Sequence, residues 1–354
     1  MKFPFSDEEL VAVGSYPASG TVTLKDKFKT PISSVENYKR YYRHEEPCWI
    51  ANSDYRIFTP SIIPDNVARG YVREQDPTGE KGGKDMFGTI WEYIPQAGGS
   101  MVRPGTEVLA DANDWRSVIP FPDVDSWDWK GCAERNTQYL GNLDEPIWMV
   151  QMSGFFERLI SFMGFEEAIL ALVDEDQTDA VKELFSALCE VYIKILDNMT
   201  RYMRVDGYMF HDDWGSQMAP FFSRKVLREM IAPYIKRMTD HCHAKGIIFE
   251  LHSCGHIDSI ADEICDMGVD MWAPQTMNDL DALYRKYGDR ISFGYVGPDL
   301  PADASETEQI EAAKALVARF CEPNKYIYAN SAGCYRAFRK ALYQESRKMF
   351  CQMD

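Results

Sequence analysis

Basic residues are in deficit. Lysine and arginine total 38 against 55 aspartates and glutamates, a formal net charge of −17. Without a basic footprint the chain is not expected to bind DNA or RNA, nor an anionic membrane surface. Long apolar runs are missing as well, and no stretch approaches the roughly 18 uncharged residues of a membrane span. The opening MKFPFSDEELVAVGSYP has no apolar core behind a basic start, so no signal peptide is expected. The nine cysteines are odd in number and irregularly spaced. They make no disulfide framework and fit a reducing cytoplasm, most of them as small buried apolar groups. No Gly-x-Gly-x-x-Gly follows a candidate strand and no Gly-Lys-Ser/Thr loop occurs, so neither a dinucleotide fold nor a P-loop is indicated. There is no internal repeat and no low-complexity tract.

What is present reads as an ordinary folded chain: 354 residues, 45% hydrophobic and 26% charged, long enough to bury a full core unaided. The first ~130 residues are rich in Pro, Gly, Tyr and Trp and poor in long periodic runs. Within them, FGTIWEYIPQAGGSMVR (87–103) predicts a β-hairpin turning at Gly98-Gly99. The run DVDSWDW (123–129) predicts a polar-aromatic loop entering a helix.

After residue 145 the pattern becomes regular. Strand-length apolar runs at 147–151, 207–211, 247–252, 269–273, 291–296 and 326–329 alternate with helical periodicity. In 178–202, apolar residues at Val181, Leu184, Phe185, Leu188, Tyr192, Ile195, Met199 and Tyr202 fall on one helix face. Segment 305–320 opens with the Ser305/Glu308 spacing of a capping box. Gly246, Gly268 and Gly288 each precede a strand and suit the left-handed position that ends a helix. Near-continuous apolar strands alternating with helices imply a parallel sheet. Eight or so such units in this length predict a (β/α)8 TIM barrel with an N-terminal helical and hairpin extension, an open doubly wound sheet being the runner-up. The whole chain, 1–354, is expected to be one barrel domain, with residues 1–50 as the extension.

In such a barrel the chemistry sits at the C-terminal ends of the strands. Three ends carry unusual residue types. The run Glu250-Leu-His252-Ser-Cys254-Gly-His256 places Glu250 and His252 on one strand face with Cys254 following at the mouth. Histidine and cysteine are ligands that zinc prefers, against the plainer reading of a buried cysteine and a satisfied histidine. The last strand leads into Ala332-Gly333-Cys334, a second cysteine that could converge on the first or be a simple Gly-Cys turn. The strand ending in His211-Asp212-Asp213-Trp214 puts two adjacent carboxylates at the mouth, one able to cap a turn and the other to ligate, orient or donate a proton.

These residues carry a resemblance. HDDWGSQ (211–217), HAKGI (243–247), HSCGHID (252–258), GVDMWAPQ (268–275), YGDRISFGY (287–295) and FGTIWEY with GGSMVRPG (87–105) resemble the uroporphyrinogen decarboxylase superfamily over roughly residues 50–350. The resemblance implies a (β/α)8 barrel. The Arg-Gln-Ala-Gly-Arg segment with which true decarboxylases grip substrate carboxylates is not found here. The other branch, the corrinoid-dependent methyltransferases, carries zinc on His-x-Cys followed, after nearly eighty residues, by Cys. His252, Cys254 and Cys334 fit, with 79 residues between the two cysteines.

The resemblance therefore implies a zinc enzyme whose metal ligands are His252, Cys254 and Cys334. It would move a methyl group from a small-molecule donor, favoured as a methoxylated aromatic ether, to the cobalt of a corrinoid. No cobalamin-binding Asp-x-His-x-x-Gly occurs in this chain, so the corrinoid belongs to a partner protein. Asp212, Asp213 and Glu250 are the expected catalytic carboxylates. Asp212 is assigned to substrate or leaving-group contact and Glu250 to orienting His252 or completing the ligand set. His211, Trp91 and Trp214 are expected at the substrate. His241 and His243 read as solvated helix residues, and Trp272 as packing. Three rivals accompany this expectation: a cofactor-free decarboxylase, transfer in the reverse direction from corrinoid to a thiol, and a metal- or ligand-binding barrel without turnover.

Overall fold

The computed structural model describes residues 3–16, 25–77, 81–96, 98–141, 144–330 and 335–352. In chain order the strands are β1 (Ala12–Tyr16), β2 (Lys25–Phe28), β3 (Arg56–Ile57), β4 (Gly83–Lys84), β5 (Ile90–Ile94), β6 (Gly99–Val102), β7 (Ile147–Gln151), β8 (Gly207–His211), β9 (Ile248–His252), β10 (Met271–Trp272), β11 (Ser292–Tyr295) and β12 (Ile327–Ala329). The six strand runs read after residue 145 correspond to β7–β12. The chain divides into two compact units, one of Met1–Arg56, Leu143–Pro146 and Val269–Asp354, the other of Ile57–Asn142 and Ile147–Gly268.

In the first unit β1 and β2 pair antiparallel, and a helix over Ser34–Tyr42 follows, capped by Ser33. Strands β10, β11 and β12 pair in parallel, and Asn52 bridges in parallel to Ala329. The helix Glu306–Phe320 begins with the expected reciprocal capping box between Ser305 and Glu308.

In the second unit β4, β5 and β6 form an antiparallel sheet, so the predicted hairpin is present, with β4 added on its outer side. Strands β7, β8 and β9 pair in parallel, with β3 beside β7. Every residue of β7 is buried, as expected of a parallel strand covered on both faces. The covering layer is aromatic: Phe155 packs against Phe185, Tyr192, Phe210 and Tyr234 with ring centroids 5.3–5.7 Å apart. The long helix runs over Thr178–Tyr202, as its periodicity predicts.

One expectation is corrected. The parallel strands are β10–β12 in the first unit and β7–β9, with β3 beside β7, in the second, seven among the described residues and not the eight of the expected closed ring. The stretch between β7 and β8 is given to the helices Phe155–Met163, Phe165–Ala171 and Thr178–Tyr202, and among the described residues the first 145 add the two-residue β3 beside β7 and the single bridge of Asn52 to Ala329. Gly246 and Gly268 take the left-handed backbone expected of them, at φ 68° and 80°. Gly288 does not; at φ −63° it continues the right-handed geometry of the helix it ends. No described helix is long and apolar enough to cross a membrane.

Candidate metal centre and substrate cavity

Everything described in this site belongs to the second unit. Strands β8 and β9 run in register, with Met209 opposite Glu250 and His211 opposite His252. Side chains alternate along a strand, and paired residues of neighbouring strands share a face. His211, His252 and Glu250 therefore lie on one face. Asp213 and Cys254 continue it beyond the strand ends, while Asp212 points the other way.

The loops that follow are joined. Asp212 N–H still donates to the His252 carbonyl at 2.9 Å, Trp214 N–H to Ser253 Oγ at 3.0 Å, and His256 N–H to the Ser216 carbonyl at 2.7 Å. They touch at Gly255, whose φ is +105° and whose missing Cβ would lie 2.3 Å from the Gly215 backbone. A side chain at 255 would force the loops apart.

On the shared face His252 Nε2 lies 3.6 Å from Cys254 Sγ. Tetrahedral zinc with sulfur at about 2.3 Å and nitrogen at about 2.0 Å holds the two donors about 3.5 Å apart. The pair is thus spaced for one ion as it stands. Burial, reinforced by neighbouring His211, holds His252 well below its ordinary pKa, leaving the imidazole in the neutral form that a metal needs. Asp213 Oδ1 accepts the Cys254 N–H at 2.7 Å and sits 3.9 Å from His252 Nε2.

His211 is also close, since donor atoms of His211, Asp213 and His252 lie within 4.8 Å of one another. Its ring, however, stacks on that of His252 at 4.2 Å and 18°. An ion in the plane of one ring would lie well out of the plane of the other, so the two are not joint ligands in this arrangement. His211 instead buttresses His252 and is fixed by Glu157, with Nδ1 2.6 Å from Oε2. Burial opposes a charge on His211, but Glu157 outweighs it and raises its pKa above the ordinary value.

The remaining candidates separate. Asp212 is fully buried and does not reach the cavity, contrary to the substrate-contact role expected of it. It accepts N–H groups from Phe155 at 3.1 Å, Phe156 at 3.2 Å and Glu157 at 2.8 Å, and the Trp214 indole N–H at 2.9 Å. The helix Phe155–Met163 follows Gly154, which offers no side-chain cap, and Asp212 caps it from another strand. Burial, and then the charge of Glu157, push its carboxyl up to about 7 against the pull of these donors. Trp214, also fully buried, belongs to that cap and not to a substrate wall. Glu250 lies in the interior and accepts the Trp148 indole N–H at 2.8 Å. That bond crosses Gly207 on the intervening strand, where a Cβ would sit 2.2 Å from the indole. Cys334 lies outside the described residues.

A cavity of about 520 Å3 adjoins Asp213, with Trp91, Phe165 and Phe221 in its wall beside Arg69 and Glu157. Trp91, expected at the substrate, lies in this wall and is anchored by its indole N–H to Asp85 Oδ2 at 2.9 Å. Sequence reasoning missed Arg69 and Glu157. Glu157 was within reach: it sits in the first helical turn after the C-terminal end of β7, the kind of position read for β8 and β9. Arg69 follows the short helix Pro64–Ala68, in a region with no legible periodicity.

The sequence model of the family described as uroporphyrinogen decarboxylase (URO-D) matches residues 153–337. The chain belongs to the uroporphyrinogen decarboxylase family. The matched stretch holds Glu157, the 211–214 run, Glu250, His252, Cys254 and Cys334; the cavity residues Arg69 and Trp91 precede it. No curated protein matches the chain.

Proposed function

We propose that this member of the uroporphyrinogen decarboxylase family is a zinc-dependent methyltransferase. It moves a methyl group from a methoxylated aromatic ether to the cobalt of a corrinoid carried by a separate protein. The observation that supports this best is the His252–Cys254 pair, spaced at 3.6 Å for one tetrahedral ion beside an aromatic-walled cavity. Cys334 is the proposed third ligand. Three protein ligands leave a fourth position open, as in catalytic zinc sites.

Phenolate is a poor leaving group, and when bound the zinc would supply Lewis acidity to the ether oxygen. The chain's own residues do the positioning. Asp213 fixes the Cys254 backbone through its N–H, and Glu157 holds His211 against the His252 ring. Trp91, Phe165 and Phe221 offer faces for an aromatic ring. The decarboxylase rival fits the cavity less well. A polycarboxylated porphyrinogen calls for several cations, and Arg69 is the one lysine or arginine among the described lining residues, against Glu107, Glu157 and Asp213.

Two measurements test the reading. The chain, incubated with reduced cobalamin and methoxylated aromatics, is expected to give methylcobalamin, followed by cobalt absorbance. If no ether yields it, the methyltransferase reading fails, and carbon dioxide released from a porphyrinogen would establish the rival. Elemental analysis is expected to give about one zinc per chain. Cys254→Ala and Cys334→Ala should lose it, while Cys189→Ala, fully buried elsewhere, should keep it. Zinc retained in both ligand variants removes the assignment.

A further inference from the structure

The charges around the cavity carry information about the ligand that the metal donors do not. Arg69, its one lysine or arginine among the described lining residues, is already committed. Its guanidinium lies 4.6 Å over the Trp91 ring, Nη1 donates to Ser153 Oγ at 3.2 Å, and Nη2 is 3.8 Å from Glu157 Oε1. The opposite sign is not balanced in the same way. Asp213 takes a backbone N–H from Cys254 and Glu107 one from Gly105. Among the described residues neither is paired with a lysine or arginine.

An anionic ligand group entering this space would face the half-buried Asp213 and the exposed Glu107 and would lose part of its hydration there. To gain a side-chain cation among the described lining residues it would have to pull Arg69 from Glu157, the residue that also holds His211. Like-charge contact and uncompensated desolvation both oppose that. A phenolic hydroxyl has the reverse fit, because it can donate to a carboxylate while its ring lies on Trp91, Phe165 or Phe221.

We propose that the cavity selects uncharged aromatic methyl ethers and rejects ring carboxylates. This rests on the methyl-donor reading for which bond reacts, but not for what binds. Glu107 and Asp213 are the specificity-determining residues, and Arg69 is a clamp on Trp91 and Glu157, not an anion receptor.

Calorimetric titration of the purified chain, with its metal content as isolated, tests this with three ligands of one scaffold: 2-methoxyphenol, 4-hydroxy-3-methoxybenzoate and 4-hydroxy-3-methoxybenzamide. The phenol and the uncharged amide are expected to bind about tenfold tighter than the benzoate at low salt, and the benzoate alone should gain affinity as salt screens the repulsion. Combining Glu107→Gln with Asp213→Asn should narrow the gap. A benzoate that binds as tightly as the phenol overturns the proposal. So does an amide rejected like the benzoate, since size and not charge would then decide. A gap indifferent to salt and to the double variant, or no binding by any of the three, overturns it as well. The selectivity observed without any methyl transfer would remove the methyltransferase reading and leave the recognition in place.

Discussion

Asp212 and Asp213 are adjacent, chemically identical, and have opposite work. Asp212 collects three backbone N–H groups and an indole N–H in the interior. Asp213 lines the cavity, accepts the Cys254 N–H and sits 3.9 Å from His252 Nε2. Asp212→Ala leaves those buried donors without an acceptor and is expected to cost about 2–4 kcal/mol, more than an ordinary cap because several donors are stranded together. Urea unfolding of the variant checks it; a loss under 1 kcal/mol, about the size of an ordinary exposed cap, would mean that water replaces the carboxylate. The sequence marks the doublet but gives Asp212 the cavity-facing place that Asp213 takes. Alternation along each strand is legible, and it groups Glu250, His252 and Cys254 correctly. Which residue of β8 stands opposite His252 is not legible, because register is set by pairing between distant segments. With His211 opposite His252, Asp213 falls on the face of His252 and Asp212 turns away.

At the scale of elements, the helix Phe155–Met163 connects the site to the antiparallel sheet. Its N-terminus is capped by Asp212, its first turn supplies Glu157, and one residue further on Arg158 is fully buried. Arg158 donates to Asp85 Oδ2 at 2.5 Å and also pairs with Asp65. Asp85 in turn holds the indole of Trp91, so the cavity wall is located through a buried ion network. Replacing Arg158 by methionine keeps much of the volume but leaves two buried carboxylates unpaired. We expect a loss of about 3–5 kcal/mol, together with weaker aromatic binding as Trp91 loses its anchor. Thermal unfolding and ligand titration measure the two effects; unchanged stability would mean that the carboxylates protonate without penalty. None of this network is visible in the sequence, where Asp65, Asp85 and Arg158 are widely separated and share no motif. The strands and the long helix are visible because each is specified locally, by an apolar run or a 3.6-residue period. The number of strands in the sheet is not, since the helices after β7 take the length that an eighth strand would need.

At the scale of the whole molecule, the two units hold their charges differently, and the first carries an acid-sensitive knot. Asp54 is buried there, accepting the Asn52 N–H at 3.0 Å and the Trp49 indole N–H at 3.2 Å, and paired with Arg339 of the C-terminal helix. Burial works against its ionisation, but Arg339, the Asn52 N–H and Lys25 outweigh burial and hold its pKa below the ordinary carboxylate value. A carboxylate with a depressed folded pKa binds protons more readily when unfolded. Its contribution is therefore complete above the ordinary range, near pH 4, and is lost as the pH falls through the folded value. Lys25 works at the other end. Burial, then the charge of Arg339, lower its pKa to about 8, so the cost of burying its charge is relieved as the pH rises from about 8 toward its ordinary value near 10.4. Unfolding free energy measured from pH 3 to 10 should fall steeply below pH 4. Asp54→Asn should be less stable than the parent at pH 7 yet lose less on acidification, the two curves converging at the acid end. Parallel curves across that window would show that the Asp54 pKa is the same folded and unfolded, so that Arg339 and the Asn52 N–H only cancel the effect of burial.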